Sequence, residues 1–339
     1  MRPDEVLSED RDYIQYYRPD DHYQIGREEI REFARSMKDG HIIHWDDVAA
    51  AELGHSGLVA PLTFAARLAG TGLNWLMDNV LVEHDTSSFV QTDQVFNYYR
   101  PLHAGDQISL YIGLHPVRRK AGGDTIVVDG LMFDQHGDLV QSLTTTAVGR
   151  RGAHAEPALA AALADVMMAD FIPPHSVQWT PIEDAPTHTP AAYDRPDDPS
   201  VPLFSEVSVG DVIGTRTVTV RRGDLVTYAG ISSDYNPIHW SDRVVDIVGL
   251  ETVAAHGLLT MGIGSTFICS WLGDPTAVLD YRVRFTGIAY VSDVAPADIQ
   301  YTGRIKSLDA ATKTATIALE AAFRGKRIFG RALATVALR

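Results

Sequence analysis

A chain of 339 residues is long enough for two domains that each bury a core, and 45% hydrophobic against 22% charged residues is an ordinary soluble balance. A net charge of −15, from 44 acids against 29 bases, speaks against nucleic acid, which needs a basic face; small anionic ligands need only a local patch. Apolar runs are too short to span a bilayer, the start is acidic with no apolar leader segment, and the single cysteine, Cys269, excludes an internal disulfide, so a cytoplasmic protein without a membrane span is expected.

In chain order, residues 1–21 read as an N-terminal extension and 22–150 as a first lobe. That lobe opens with a capped helix, runs into a loop and a long apolar helix, and continues as strands over Phe89–Tyr99, Gln107–Val117, Thr125–Asp134 and Leu139–Val148, rich in β-formers. Residues 151–202 read as a linker: an alanine-rich helix over Glu156–Ala169, then an extended Pro- and Asp-rich crossing over Ile172–Pro202. Residues 203–339 repeat the plan, with a helix from about His256 to Trp271 and strands over Leu279–Tyr290, Asp298–Ser307, Thr312–Phe323 and Arg327–Leu338. Gly262 and Gly264 weaken that helix's propensity and point to close packing. Cys269 in the same helix reads as a small buried residue. A long helix followed by antiparallel strands predicts an α+β fold, and two such lobes on a tether can pair like a covalent isologous dimer. Arg118-Arg-Lys120 and Arg324-Gly-Lys-Arg327 are candidate anion patches, although each reads more readily as a solvated hairpin turn.

The repeat carries the chemistry. Tyr228-Ala-Gly-Ile-Ser-Ser-Asp-Tyr-Asn-Pro-Ile-His-Trp240 lies without a gap over Phe33-Ala-Arg-Ser-Met-Lys-Asp-Gly-His-Ile-Ile-His-Trp45, so Asp39 meets Asp234 and His44 meets His239. In the second copy Pro237 fixes a rigid loop that can hold a carboxylate and an imidazole on one reacting group, as general acid–base catalysis requires. Gly257 then opens the long helix, whose free N–H groups and positive dipole end suit a carbonyl oxygen gaining charge. In the first copy Asn236-Pro237 becomes His41-Ile42 and His256-Gly257 becomes Pro61-Leu62, so the rigid turn and the oxyanion donor are expected to be lost. No serine elbow, metal-spaced His/Cys set or phosphate loop competes for the role.

The segments Asn236-Pro-Ile-His-Trp240, Ala255-His-Gly-Leu-Leu-Thr-Met-Gly262 and Ile328-Phe-Gly-Arg331 resemble the MaoC-like, (R)-specific enoyl hydratase/dehydratase family. Within it, residues 205–339 resemble the catalytic subunit of the mycobacterial type II fatty acid synthase (3R)-hydroxyacyl-ACP dehydratase. Tyr23–Arg35 and Gly57-Leu-Val-Ala-Pro-Leu-Thr-Phe64 resemble its partner subunit, so the chain looks like a fusion of the two. The resemblance implies a double hotdog fold and a catalytic centre of Asp234, His239 and the Gly257 amide, with Asn236 and Ser265 at positions that support or contact the ligand. It implies no cofactor and no metal.

The expected reaction is reversible dehydration of (3R)-3-hydroxyacyl thioesters to trans-2-enoyl thioesters in fatty-acid (mycolic-type) elongation. Asp39 and His44 would be a degenerate copy in a lobe that shapes the acyl channel. The alternatives are an (R)-specific enoyl-CoA hydratase of lipid or sterol degradation, a hotdog thioesterase, and a non-catalytic acyl-binding protein. The expected partners are acyl-ACP or acyl-CoA, with possible docking of an acyl carrier protein, in a two-lobed monomer or a homodimer.

Overall fold

The computed structural model describes residues 13–84, 89–121, 123–151, 157–168 and 177–339. The first lobe comprises β1 (Gln15–Pro19), β2 (Tyr23–Gln24), α1 (Arg27–Ser36), α2 (Asp47–Glu52), α3 (Ala65–Asn79), β3 (Val90–Tyr98), β4 (Gln107–Leu114), β5 (Asp124–Phe133) and β6 (Leu139–Gly149). The connection holds α4 (Pro157–Val166) and β7 (Trp179–Ile182). The second lobe comprises β8 (Val212–Val220), α5 (Arg222–Ser232), α6 (Asp242–Val248), α7 (Gly257–Leu272), β9 (Val278–Phe285), β10 (Ala297–Asp309), β11 (Thr314–Phe323), β12 (Lys326–Arg327) and β13 (Phe329–Ala337).

The strands join one antiparallel sheet in the order β7-β1-β4-β5-β6-β3-β9-β13-β11-β10-β8. Read outward from β3 and β9, the two halves run in matching order, each around its own long helix: an α+β double hotdog. The seam pairs Asp93 with Arg284 and Phe96 with Tyr281, and Arg284 Nε donates to Asp93 Oδ1 at 2.8 Å across it.

Alternation explains the strands. β10 and β11 bury every second residue over most of their length, the period-2 signature of a sheet with one face on a core. The helices differ. Twelve residues of α7 are buried, whereas α3 buries Ala65, Leu68, Gly72 and Leu76. The glycines of α7 explain its fit: a Cβ on Gly262 would overlap Met37 Sδ of the first lobe, and one on Gly264 would lie 2.8 Å from the Tyr281 hydroxyl. Cys269 is buried in the same helix.

The lobes share one core, in which Phe33 and Phe64 of the first lie with Tyr228, Phe267 and Tyr281 of the second. Polar ties reinforce it: Lys38 Nζ meets Asp224 Oδ1 at 2.6 Å, and Arg67 donates to the Ile231 carbonyl.

Three strands differ from the sequence reading, which places none at Val212–Val220, where β8 forms. Gln15–Pro19, read as part of an extension, pairs with β4 as β1, and Trp179–Ile182 of the linker pairs in turn with β1 as β7. Short edge strands carry too little alternation to be recognised without their partners. The linker helix spans Pro157–Val166; Glu156, Ala169, Ile172 and the acidic start over residues 1–10 lie outside the described residues. Arg324 meets Glu251 and Arg327 meets Glu320, so two cations of the second basic cluster are paired at the surface. Among the described residues no helix is long and apolar enough to cross a membrane.

Candidate active site

The second-lobe motif begins where α5 ends. Ser233 adopts a left-handed conformation with φ 63° that turns the chain, and the Ser232 hydroxyl accepts from the Asp234 amide at 3.2 Å. Asn236 Oδ1 then accepts from Ile238 N at 3.2 Å, capping a single 3-10 turn over Pro237–His239. Asn236 therefore supports the loop rather than reaching out of it. The turn delivers His239, whose Nδ1 lies 2.8 Å from the Ala254 carbonyl. A carbonyl only accepts, so Nδ1 carries the proton and Nε2 has a bare lone pair. That Nε2 lies 3.8 Å from Asp234 Oδ2. The Asp234 side chain is 41% exposed and that of His239 is 9% exposed, so the acid faces the opening and the base lies behind it.

His256 completes the cluster. Its ring stacks on His239 with centroids 3.7 Å apart and 25° between planes, and its Nε2 donates to the Asp234 carbonyl at 3.2 Å. Burial, and next the neighbouring His239, hold its pKa well below the ordinary histidine range, so this ring is neutral at pH 7. The Tyr228 ring meets its edge at 4.9 Å. Burial pushes the Tyr228 hydroxyl upward, with Asp234 adding to the shift, so it stays protonated. Gly257, the next residue, opens α7, so its N–H has no intrahelical carbonyl to bond. The Phe285 ring lies 3.3 Å from where a Cβ on Gly257 would sit. Ser265 is buried two turns further on and donates to the Gly262 carbonyl at 2.7 Å.

The first lobe keeps the same pair in a tighter form. His44 Nδ1 lies 2.6 Å from the Val59 carbonyl and Nε2 lies 3.5 Å from Asp39 Oδ2. The expected loss of the rigid turn is corrected here, because a 3-10 turn over Ile42–His44 forms without proline. Other bonds hold it: His41 N donates to Asp39 Oδ1 at 3.0 Å, His41 Nε2 meets the Gly273 carbonyl at 2.5 Å, and Trp45 Nε1 donates to the Asp39 carbonyl at 2.9 Å. Burial raises the Asp39 pKa, but the adjacent His44 and hydrogen bonds from the His41 amide and the Thr266 hydroxyl outweigh it and hold the carboxylate below its usual value. The Asp39 side chain is 8% exposed and its second oxygen takes the Thr266 hydroxyl of α7 at 3.2 Å. This acid is spent on structure. Its oxyanion position also differs, since α3 opens only at Ala65, three positions past Leu62.

Two family models match the chain: a FAS1-like dehydratase domain region over residues 15–143 and a MaoC like domain over residues 205–322. A solved structure of a MaoC-like dehydratase is 38% identical, with 98% of this chain and 100% of that one covered at a TM-score of 0.85. The chain belongs to the MaoC-like dehydratase family. A UPF0336 protein of Mycobacterium tuberculosis is 38% identical over 136 residues, 40% of this chain and 82% of that protein. A Mycobacterium tuberculosis protein described as a double hotdog shares the fold at 15% identity, TM-score 0.64, with 99% of this chain and 98% of that one covered. As a MaoC-like dehydratase the chain is a hydro-lyase of the hydratase/dehydratase type.

The MaoC-like site adds what the sequence reading lacked: His256 was part of the quoted motif, yet its stacking on His239 has no linear signature. Among the described residues Asp234, His239 and His256 form the one cluster of metal-ligand types, with atoms within 4.8 Å of one another.

Proposed function

We propose that the protein reversibly eliminates water from (3R)-3-hydroxyacyl thioesters to give trans-2-enoyl thioesters, with the acyl group carried on the pantetheine arm of coenzyme A or a carrier protein. The observation that carries this reading is the fixed tautomer of His239. With Nδ1–H given to Ala254, the bare Nε2 is the base beside Asp234. In the dehydration direction Nε2 takes the C2 proton, the C3–O bond breaks and the C2=C3 bond forms. The Asp234 carboxylate orients the 3-hydroxyl, and the proton passes through the Asp234–His239 unit to the departing oxygen, so water leaves and the pair returns to its starting state. The Gly257 N–H stabilises the thioester oxygen as it becomes enolate-like.

The likeness of the two lobes to the subunits of the mycobacterial dehydratase supports a role in mycolic-type chain elongation, with the first lobe shaping the channel for the acyl tail. Asp234→Asn and His239→Ala are each expected to lower kcat by at least about 10²-fold in hydration of enoyl thioesters, the usual scale of lost acid–base catalysis. Near wild-type turnover in either variant would sink the assignment. Release of free thiol in place of water addition would move the enzyme to the thioesterases.

A further inference from the structure

A cavity of about 240 Å³ lies where the first lobe, the linker and the start of β9 in the second lobe meet, and none of Asp234, His239, His256 and Gly257 lines it. It occupies the position that matches the candidate active site. Val59, Ala60 and Leu62 of its wall are the repeat partners of Ala254, Ala255 and Gly257. The matching bridges Val59↔His103 and Ala254↔Tyr290 make Tyr98, also in the wall, the counterpart of Phe285 in the second lobe.

Four residues around this cavity carry a buried polar atom with no hydrogen-bond partner among the described residues: Tyr98 Oη, Gln141 Oε1, Tyr193 Oη and Arg195 Nη1. Gln141 is 5% exposed. Tyr98 and Gln141 are directly opposed on β3 and β6, so their side chains leave the same face of the sheet. Arg195 comes from the linker, which caps the cavity together with Tyr193. The other arginine in the wall, Arg100, already has Asp106 and Asp134. Burial raises the Tyr98 hydroxyl well above its usual value, so it is a donor at any ordinary pH. Buried polar atoms are costly to leave unbonded, and four of them around one cavity offer donors and acceptors to a small polar ligand.

We propose that this cavity binds a small amphipathic hydroxy-carboxylate: Arg195 takes the carboxylate, Tyr98 and Gln141 take the hydroxyl as acceptor and donor, and Leu62, Val278 and Leu279 take the alkyl part. A cavity of about 240 Å³ has room for a six-carbon hydroxy acid. The first lobe thus keeps the recognition half of an active site whose chemistry is disabled, and serves as a separate binding site.

Calorimetric titration of the full chain with (R)-3-hydroxyhexanoate, hexanoate and the methyl ester of the hydroxy acid tests this. The hydroxy acid is expected to bind with submillimolar affinity, and hexanoate and the ester at least tenfold more weakly. Arg195→Met, with unchanged circular dichroism, is expected to weaken the hydroxy acid at least tenfold, and Tyr98→Phe and Gln141→Leu to erase its advantage over hexanoate. Asp234→Asn is expected to bind it as wild type does. The proposal is overturned by absence of binding at 10 mM, by an ester that binds as well as the acid, or by affinity that survives Arg195→Met but is lost in Asp234→Asn, which would put the ligand in the second lobe.

Discussion

Gly257 stands where the first lobe has Leu62, and a graded series at this position tests the proposed oxyanion role. A methyl group here would sit 3.3, 3.4 and 3.5 Å from three carbons of the Phe285 ring, contacts tight enough to push the ring by a few tenths of an ångström. Gly257→Ala therefore leaves the N–H reachable, and the expected loss is about 3- to 10-fold, the scale of about 1 kcal/mol. Gly257→Leu copies the first lobe. A leucine side chain cannot fit between the helix start and Phe285, so it covers the amide, and loss of one oxyanion donor is worth about 10²–10³-fold in kcat. The assay is hydration of a medium-chain enoyl-CoA, followed by the fall in enoyl thioester absorbance, with circular dichroism to establish that each variant is folded. A folded Gly257→Leu enzyme with kcat within threefold of wild type would refute the oxyanion role of this amide.

Three further outcomes follow from the packing and the buried charges. Gly262→Ala gains helix propensity but forces a methyl into Met37, and the overlap wins: a net loss of about 1–2 kcal/mol is expected in urea unfolding, relieved by Met37→Ala in the same chain, and a variant as stable as wild type would refute the packing. His103 is held down to about 4 by burial first and by His55 and Arg100 next, against Asp106. Its folded pKa lies below its unfolded value, so stability is full above about pH 6.5 and falls as pH drops toward 4, by about 3 kcal/mol for this group; His103→Gln is expected to flatten thermal melting temperature against pH over that window, and an unchanged slope would count against it. Asp39 runs the same way at lower pH, since its lowered pKa makes a contribution that is present above about pH 4 and lost as pH falls through the folded value. Asp39→Asn is expected to destabilise the chain by about 1.5–3 kcal/mol at pH 7 and to leave kcat within a few-fold; a loss of turnover as large as that of Asp234→Asn, at unchanged stability, would show that the first pair works.

Much of the molecule is legible in the sequence because its signals are local. Runs of β-forming residues between turn residues gave most of the strands, although β8 was missed and β9 ends at Phe285 rather than Tyr290, and the apolar run from His256 gave α7. The Asn236-Pro237 turn is legible for the same reason, and it forms as a 3-10 turn over Pro237–His239. What escaped depends on partners far along the chain. Nothing near Asp39 announces that Thr266 will bond it, nor does anything near His41 announce Gly273, and these bonds rebuild in the first lobe a turn that seemed to need proline. The delayed start of α3 is equally silent, because Pro61-Leu62-Thr63-Phe64 contains no helix breaker after the proline and only the folded backbone reveals a turn there. His256 was visible as a residue and invisible as a neighbour of His239.

The seam between β3 and β9 has a consequence for assembly. In a two-chain enzyme the corresponding junction would carry a concentration term and would loosen on dilution. Here both strands belong to one polypeptide, so the equilibrium of that junction is intramolecular, with an effective concentration set by the connecting segment. Dilution cannot separate the lobes. Synthesis always delivers them in equal number, and a chain of another kind can take the place of either strand only by displacing a partner that is already attached.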